Sequence, residues 1–514
     1  MSRILENIFA GNGGKSSWLI ALFVPAAFLF GCSVGPNYRT PTVDTPPAYK
    51  EAADWKPAQP NDQNLGGNWW TVFKDPELDK LEQQVNVSNQ NLIAAEAQYQ
   101  QSRAALRYNR ADYYPTVTAG LSGTRERVSA HRPPPSSIFD GITYNDFVVP
   151  VDVSYEADVW GRVRRTVESY REQAQASAAD LATVNLSLHS DLAIDYFAAR
   201  TLDAEEQLLT STVKQYEDAL ELNQSRYQGG LASEVEVEQA KTQLDTTRAQ
   251  AIDVGVLRAQ YEHAVAILIG KPPSELSLPP LPLTAPPPPI PGSMPSELLE
   301  RRPDIAAAER RVAAANAQIG VAKSAYYPVI GLSAGGGFES ASITTLLNGP
   351  SGLWSIGGSA LGTVFDVGRR RALTDEARAA YDVQVAAYRE SVLTGFQQVE
   401  DNLAALRILE NEAKVQDEAV AAAQTSLDLS NTRYTGGVTS YLEVTVAQSA
   451  ALADEVTAVN ILGRRMANTV LLIQALGGGW DRSSLPARPE CCGKLVSSSG
   501  SNSVNSGSTK QAVQ

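Results

Sequence analysis

The sequence predicts a mixed α and β fold in which one unit of strands and very long helices is built twice. An internal duplication is the first observation behind this prediction: the Tyr-Tyr-Pro at 113–115 recurs 213 positions later at 326–328, and the Gly-Arg at 161–162 recurs 207 positions later at 368–369. A repeat of this length means two copies of a whole supersecondary unit. The other two observations are stretches that alternate between apolar and polar side chains, and long proline-free stretches with heptad spacing.

The composition excludes several kinds of function. The 514 residues carry a net charge of −14, whereas nucleic-acid binding depends on clustered Lys and Arg that neutralise phosphates. The three histidines, His131, His189 and His263, lie in a Pro-rich loop and on two predicted helices, with no Cys, Ser or carboxylate cluster at motif spacing. We therefore expect no nucleic-acid partner, no metal centre, no cofactor and no catalytic residues.

The N-terminus predicts export and a lipid anchor. An apolar run over 18–30 follows basic residues; it is too short to span a bilayer comfortably but has the length of a signal-peptide core. The run ends in a Gly-Cys pair that resembles a bacterial lipobox, so we expect residues 1–31 to be a signal peptide and Cys32 to carry a covalent lipid. The alternative is an ordinary signal peptide that contains a cysteine. Because Ser33, and not Asp, follows the cysteine, the lipobox indicates the outer membrane.

An arm and the first repeat follow this leader. Residues 32–76 are rich in Pro, Asn and Asp, which predicts an extended arm. The first repeat is predicted over 77–270 and begins with a helix that ends at the Tyr-Tyr-Pro. A β-hairpin is expected at 113–157, because apolar and polar residues alternate over 116–122 and again over 147–156.

The second repeat is predicted over 296–477, with its β-hairpin at 326–366. Each predicted strand has about ten residues, the length of a tilted strand that crosses an outer membrane. Four strands cannot close a transmembrane barrel, because the smallest bacterial barrels have about eight strands and an open edge in lipid leaves backbone groups unpaired. The sheet therefore either packs on a soluble core or joins the strands of other chains in one shared barrel.

Each hairpin leads into a pair of helices. The stretches 162–228 and 369–435 lack proline, and at about 1.5 Å per residue each would form a helix roughly 100 Å long. Apolar residues recur along them at heptad spacing, which predicts packing against neighbouring helices in coiled-coil style. Return helices over 233–269 and 440–476 complete two antiparallel helical hairpins.

Two segments are predicted to lack regular structure. Residues 271–295 contain four consecutive prolines and cannot be helical, so we expect a semi-rigid linker between the repeats. Residues 478–514 form a tail rich in Ser, Gly and Asn, without the apolar residues that would order it. The tail contains adjacent Cys491 and Cys492, which make at best a strained disulfide.

The most specific small motif is the turn between the two helices of each repeat. Glycine is expected to end the long helix in a left-handed cap, and a Ser with a Glu three residues on predicts a capping box for the return helix. A second, compatible interpretation is that tips from several chains meet on an axis, where the glutamates would form an acidic ring that admits cations. The turn residues are Arg226, Tyr227, Gly229, Gly230 and Glu236 in the first copy, and Arg433, Tyr434, Gly436, Gly437 and Glu443 in the second.

Together these features resemble the TolC-like outer membrane factors, and most closely their OprM/NodT-like lipoprotein branch. The resemblance rests on the Arg-Tyr-x-Gly-Gly turns, the duplicated layout, the lipobox, and the run Leu-Glu-Arg-Arg-Pro-Asp-Ile-Ala-Ala-Ala-Glu at 299–309, which continues to the Tyr-Pro at 327–328. It covers about residues 29–480. The Arg-Arg-Pro-Asp-Ile segment is specific to that branch, whereas the other motifs are weak when taken singly.

The resemblance implies a homotrimer in which four strands from each chain close a 12-stranded β-barrel that continues into a long periplasmic α-helical barrel. By motif, an aperture acid falls on Glu443 and an apolar constriction on Leu442. Arg433 and Tyr434 take the positions that tether neighbouring helices when the entrance is closed. A further family acid is replaced by Val446, which argues against a double acidic ring. The first tip has the counterparts Arg226, Tyr227 and Glu236.

The resemblance further implies a passive exit duct, the outer membrane channel component of a tripartite efflux system for drugs or other small compounds. Its partners would be a periplasmic adaptor at the glycine turns, an inner-membrane pump of the RND type, and outer membrane lipid. Two alternatives stay open: a structural coiled-coil lipoprotein of the envelope, which leaves the four strands unexplained, and the exit duct of a type I protein secretion system.

Overall fold

The structure, a computed structural model, describes residues 33–52, 67–131, 141–289 and 298–486. The predicted signal peptide, Cys32, and the part of the C-terminal tail that holds Cys491 and Cys492 lie outside the described residues. The described ranges cover most of the arm and of both repeats, so the two copies can be compared with each other in detail.

Two very long helices dominate the fold. Each has 67 residues and ends in a tight turn, from which a helix of 35 residues returns along it. The bounds of the two long helices coincide with the predicted ones. In chain order the helices are α1 (Pro76–Ser88), α2 (Gln90–Arg110), α3 (Arg162–Gln228), α4 (Glu234–Leu268), α5 (Leu298–Arg301), α6 (Pro303–Ser324), α7 (Arg369–Thr435) and α8 (Tyr441–Ala475).

A glycine and an aspartate begin each long helix. Gly161 and Gly368 stand at the N-caps with φ of 83° and 86°, a left-handed conformation that favours glycine. Asp158 accepts hydrogen bonds from the first backbone N–H groups of α3, and Asp366 does so for α7, which satisfies donors that a helix start leaves unpaired. Among the described residues, no helix is both long and apolar enough to cross a membrane.

The strands that lead into the two long helices form one antiparallel sheet, which has four strand positions. Where the sequence predicts a single first strand, the structure has two segments, β1 and β2, which lie end to end along β3. The interruption faces Pro150, whose missing N–H removes a ladder hydrogen bond. The order is β1/β2, β3, β4, β5, so that β1/β2 and β5 form the two edges. The strands are β1 (Thr116–Ala119), β2 (Ser122–Arg127), β3 (Thr143–Ala157), β4 (Val329–Ser340) and β5 (Gly352–Leu361).

The main hydrophobic core lies near the middle of α3, away from both the sheet and the helical tips. Tyr196 and Leu192 of α3 are fully buried there against Leu78 of α1, Ile305 of α6 and Ile473 of α8. Helices from both repeats and the N-terminal region thus share one core. The sheet and the tips are left as the two ends of the molecule.

The predicted arm runs along this body from the sheet end to the core. Val34 donates its backbone N–H to Trp160 O at 3.0 Å, next to the start of α3. Further along, the Tyr38 hydroxyl donates to Glu309, and Glu400 accepts the backbone N–H groups of residues 50 and 51. The described parts of the arm, 33–52 and 67–75, are extended apart from two short 3-10 turns, Lys50–Ala52 and Trp69–Phe73.

Candidate functional site

Both helical tips end in the same hydrogen-bonded turn. In the first, Leu231 N–H donates to Arg226 O at 2.7 Å; in the second, Val438 N–H donates to Arg433 O at 2.9 Å. These six-to-one bonds, with the accompanying five-to-two bonds, define a Schellman motif. The second glycine of each pair holds the left-handed position: φ is 70° at Gly230 and 74° at Gly437, whereas φ is negative at Gly229 and Gly436.

The two tips differ at the start of the return helix. Glu236 closes the predicted capping box, because its carboxylate accepts the Ser233 N–H at 3.0 Å. The equivalent box at Ser440 is not formed, because Glu443 does not accept the Ser440 N–H as Glu236 accepts that of Ser233. Instead the Glu443 carboxylate lies 3.8 Å from Arg433, and both side chains are about half exposed. Two glutamates with the same sequence signature therefore have different roles, one in capping and one in an exposed ion pair.

Tyr434 joins the two tips within one chain. It is only 4% exposed, and its hydroxyl donates to Asn223 Oδ1 on the other hairpin. The Arg226 guanidinium lies 4.6 Å from the ring centroid of Tyr434, a cation–π contact, and the Tyr441 ring meets the same ring edge-on at 5.2 Å. We name this group, Asn223, Arg226, Tyr434 and Tyr441, the tip clamp.

Burial sets the protonation of the tip clamp. It raises the pKa of the Tyr434 hydroxyl; the nearby Glu236 carboxylate adds to this effect, while Arg226 opposes it. Burial likewise raises the pKa of Tyr441 to about 12. Both hydroxyls therefore stay protonated at neutral pH, so that Tyr434 acts as a hydrogen-bond donor to Asn223.

The structure brings together only part of the predicted site. Arg226 and Tyr434 are in contact, and Arg433 pairs with Glu443, but Tyr227 is 47% exposed and takes no part in the clamp. Leu442 is 53% exposed at the first turn of α8. No cluster of His, Cys, Asp or Glu able to hold a metal is found in the part of the chain that the structure describes. The contacts of this site hold the ends of the helices together.

Sequence reasoning missed Asn223 and Tyr441. Their signal lies in the differences between the copies: the 207-residue offset maps Asn223 onto Ser430, and Tyr441 onto Glu234. A position where two otherwise similar copies diverge indicates a contact that only one of them makes. The tip clamp is such a contact, because it is formed between one face of the first hairpin and one face of the second.

A second place of interest is the start of the described chain, directly after Cys32. Ser33 packs on Gly161, where an added Cβ would lie 2.8 Å from Ser33 Oγ. Beside it, Trp160 stacks on Tyr327 with 4.7 Å between the ring centroids and donates its Nε1–H to Pro328 O at 2.8 Å. The arm is therefore fixed where the sheet meets α3.

Comparison with known proteins gives two kinds of match. In sequence, the chain is 32% identical over 465 residues to the probable efflux pump outer membrane protein TtgC of Pseudomonas putida, covering 90% of this chain and 96% of that protein. It is 29% identical over 464 residues to the cation efflux system protein CusC of Escherichia coli, covering 90% and 98%.

In structure, the chain is similar to the outer-membrane channel OprN, with a TM-score of 0.81 and 28% identity over 87% of this chain and all of that one. It is also similar to the CmeC outer membrane channel of Campylobacter jejuni, with a TM-score of 0.81 and 25% identity over 88% and 96% of the two chains. These matches confirm the predicted fold class, a mixed α and β outer membrane channel protein with an internal duplication, and the predicted class of function, an efflux channel.

The family match follows the duplication. The model of the family described as outer membrane efflux protein matches residues 81–271 and again residues 294–478, one match for each repeat. The two matches together cover well over half of the chain, and the linker lies between them. This chain belongs to the outer membrane efflux protein family.

Proposed function

We propose that three copies of this chain form a passive exit duct through the outer membrane, as the channel component of a tripartite efflux system. A periplasmic adaptor would contact the tips, and an inner-membrane pump of the RND type would select and drive the small compounds that leave. The names of the relatives TtgC and CusC, an efflux pump outer membrane protein and a cation efflux system protein, support this assignment. In this proposal the duct catalyses no reaction.

The observation that carries the proposal is the unequal burial of two equivalent helices. α6 packs between α3 and α7 and has 15 buried residues. α2 is its counterpart in the first repeat; it packs on α3 and has one buried residue, Ala95. The neighbour that α2 lacks among the described residues is the equivalent of α3, which is α7. A second copy of the chain can supply that helix, and repetition of the contact builds a ring.

The sheet supports the same conclusion. Its two edges, β1/β2 and β5, have no strand beside them among the described residues, and their apolar side chains are exposed, for example Leu121 at 79% and Trp354 at 79%. An open edge in lipid is costly because unpaired backbone groups find no water there. Three copies bring twelve strand positions, which is enough to close a membrane barrel.

We place the membrane anchor at Cys32, as the lipobox indicates. Ser33, the next residue, is packed on Gly161 at the junction of the sheet and α3. Trp160 and Tyr327 are stacked at this junction, and such aromatic residues favour the boundary between membrane and water. A lipid on Cys32 would therefore start at the level of the periplasmic membrane surface, which supports an outer membrane lipoprotein with a long periplasmic extension.

We place the entrance at the opposite end, at the helical tips. Leu442 and Glu443 lie on the first turn of α8 and would line the aperture, with Glu236 as the capped counterpart of the acid. The tip clamp tethers the two hairpins of one chain. Arg433 and Tyr227 are the duplicated partners of Arg226 and Tyr434, and both are exposed, so they would form the matching tether between subunits. The turns at 229–230 and 436–437 would meet the adaptor.

Planar-bilayer recording of the purified protein tests the duct. We expect discrete conductance steps, with a small closed-state conductance, from a protein whose mass in mild detergent is that of a trimer by light scattering. A stable trimer that conducts no ions would contradict the duct and favour a structural envelope tether.

A further inference from the structure

The start of the arm fills the junction where α6 ends beside the start of α3. An added Cβ at Gly320 of α6 would lie 3.0 Å from Val34 O, so the arm passes directly over this glycine. Asn316 of α6 donates to another backbone oxygen of the arm at 3.1 Å, and Arg165 of α3 donates to Val34 O at 3.3 Å. The arm therefore covers this junction and accepts hydrogen bonds from both helices.

The chain has two repeats but one arm, so the equivalent junction has no arm to cover it. In the proposed trimer this second junction lies between the end of α2 in one copy and the start of α7 in the next. The glycines at the N-caps show the difference. An added Cβ at Gly161 would lie 2.8 Å from Ser33 Oγ, whereas one at Gly368 would meet no atom within 4 Å among the described residues. The second junction is thus open where the first is filled.

Arginine replaces the residues of α6 that lie under the arm. The offset of 213 between the repeats gives their counterparts on α2, which are Arg103 for Asn316, Arg107 for Gly320 and Arg110 for Lys323. Because Arg107 carries a long side chain where the arm requires glycine, a backbone cannot lie there as the arm does. After Glu96, α2 contains no further acidic residue that could neutralise these charges.

The start of α7 also carries positive charge, without the acids that neutralise it in α3. In α3, Arg162 pairs with Glu156, and Arg164 pairs with Asp158. The offset of 207 keeps both arginines and replaces both acids, so that the counterparts are Arg369, Arg371, Thr363 and Phe365. The cations are retained at the open junction, and their carboxylate partners are lost.

The arginines of the open junction are free to bind an anion. Arg107, Arg110 and Arg369 are exposed and have no side-chain partner among the described residues. Arg371 is 86% exposed and lies 3.9 Å from Asp375. Positive charge near the start of a helix opposes the helix dipole, so helix stability does not account for Arg369 and Arg371. An anion from outside the chain accounts for them.

Exposed apolar side chains beside the junction indicate that this anion carries hydrocarbon. Val364 and Phe365, in the connection from β5 to α7, are 95% and 83% exposed, and Tyr114, which follows α2, is 73% exposed. All three lie between the sheet and the arginines, where the proposed membrane surface begins. An apolar surface next to a cluster of cations matches an anionic phospholipid, which joins acyl chains to a phosphate.

We propose that each open junction binds one anionic glycerophospholipid of the periplasmic leaflet of the outer membrane. Its phosphate is held by Arg369 and Arg371 of one copy and by Arg107 and Arg110 of the next, because guanidinium groups match phosphate oxygens in charge and geometry. The backbone N–H groups at the start of α7 are not the site, since Asp366 already accepts from two of them. The lipid takes the place that the arm fills at the other junction. The site rests on the proposed trimer, because two copies build it.

Native mass spectrometry of the purified protein tests this site. The delipidated trimer is titrated with phosphatidylglycerol, or with zwitterionic phosphatidylcholine that has the same acyl chains. We expect three phosphatidylglycerol molecules per trimer and much weaker binding of phosphatidylcholine. Each arginine near an anionic lipid changes the affinity about fivefold, so Arg369→Gln with Arg371→Gln should weaken phosphatidylglycerol binding about 25-fold. Arg107→Gln with Arg110→Gln should do the same from the other side of the junction.

Arg248→Gln with Arg464→Gln is the matched control, because it removes two exposed arginines from the return helices, away from the sheet. This variant should bind phosphatidylglycerol as the wild type does. A trimer that binds both lipids equally, or that keeps its preference for phosphatidylglycerol in both junction variants, would overturn the lipid site and leave the exit duct intact. A monomer by light scattering would overturn the proposed trimer, and the site with it.

Discussion

At the scale of single residues, Tyr434 is where the two hairpins of one chain meet. Tyr434→Phe keeps the ring beside Arg226 and removes the hydrogen bond to Asn223, so that the buried Oδ1 loses its donor. Loss of a partner by a buried polar group costs about 1–3 kcal/mol. We expect a higher closed-state conductance in planar bilayers. Tyr388→Phe is the control, because Tyr388 is equally buried, at 4% exposed, but lies in the main core away from the tips. Equal conductance of the two variants would show that the clamp does not hold the entrance.

A buried acid and histidine join α1 to the middle of α3. Glu82 and His189 are 0% and 2% exposed, with 2.5 Å between Oε2 and Nδ1, and Trp70 stacks on the imidazole at 4.4 Å. Burial, with a smaller contribution from Asp79, raises the pKa of Glu82 to about 9, and burial lowers the pKa of His189 to about 4. Both groups are therefore neutral at pH 7, and the Glu82 carboxyl donates its proton to Nδ1.

These pKa shifts predict opposite dependences of stability on pH. The raised pKa of Glu82 contributes stability below pH 4.5 that is lost as the pH rises to about 9, and the lowered pKa of His189 contributes stability above pH 6.5 that is lost as the pH falls to about 4. In Glu82→Gln we expect the alkaline loss, at most about 1.4 kcal/mol per pH unit, to disappear. Thermal unfolding between pH 6.5 and 9 measures it; identical slopes for variant and wild type would mean that Glu82 is ionised in the fold.

At the scale of elements, the two tips have nearly the same sequence, but their glutamates differ. Glu236 is held in a capping box, whereas Glu443 is half exposed in an ion pair. Glu443→Ala removes an exposed carboxylate paired with Arg433, and Leu442→Ala removes an apolar side chain that is 53% exposed. We expect both variants to raise the closed-channel conductance. Glu236→Ala is the matched control: it removes a capping-box acceptor, so a loss of about 1 kcal/mol in stability is expected, with little change in conductance. Unchanged conductance in both α8 variants would place the gate elsewhere.

The elements differ in how far the sequence predicts them. The bounds of α3 and α7 follow from glycine at both ends and an uninterrupted stretch without proline, which are local signals. The break between β1 and β2 was not predicted, because its cause is Pro150 on a neighbouring strand, and a strand pairing must be known before that proline can act. The missing capping box of α8 was not predicted either, because it also depends on a neighbouring segment: Glu443 pairs with Arg433 on the other side of the turn.

At the scale of the whole molecule, the resemblance and the duplication predict the architecture, whereas the links between distant segments could not be predicted. Glu309 accepts from Tyr38, Arg310 and Arg482, groups separated by up to 271 positions, and no local pattern specifies such a cluster. The same holds for Asn223 in the tip clamp, which meets Tyr434 211 positions away. Local sequence signals predict the helices. The residue pairs between helices depend on how the whole chain packs.

The proposed anchor at Cys32 also belongs to this scale, because it would fix the whole molecule at the membrane. Cys32→Ser should abolish incorporation of labelled palmitate, since in this proposal the thiol is the attachment point for the lipid. Replacement of Cys491 and Cys492 by serine is the control and should leave labelling unchanged. Palmitate that still enters the Cys32→Ser protein would refute the lipoprotein assignment.

The docking of the arm has a consequence for the order of folding. Pro36 O accepts from Asn316, Tyr38 donates to Glu309, and the turn at 50–51 is bound by Glu400. These partners all belong to the second repeat, so they are synthesised hundreds of residues after the arm. The start of the arm has its partners in the first repeat, at Trp160 and Gly161, so it can dock before the second repeat exists. The stretch from Tyr38 onward must wait, and it reaches its final place only after the second repeat has folded.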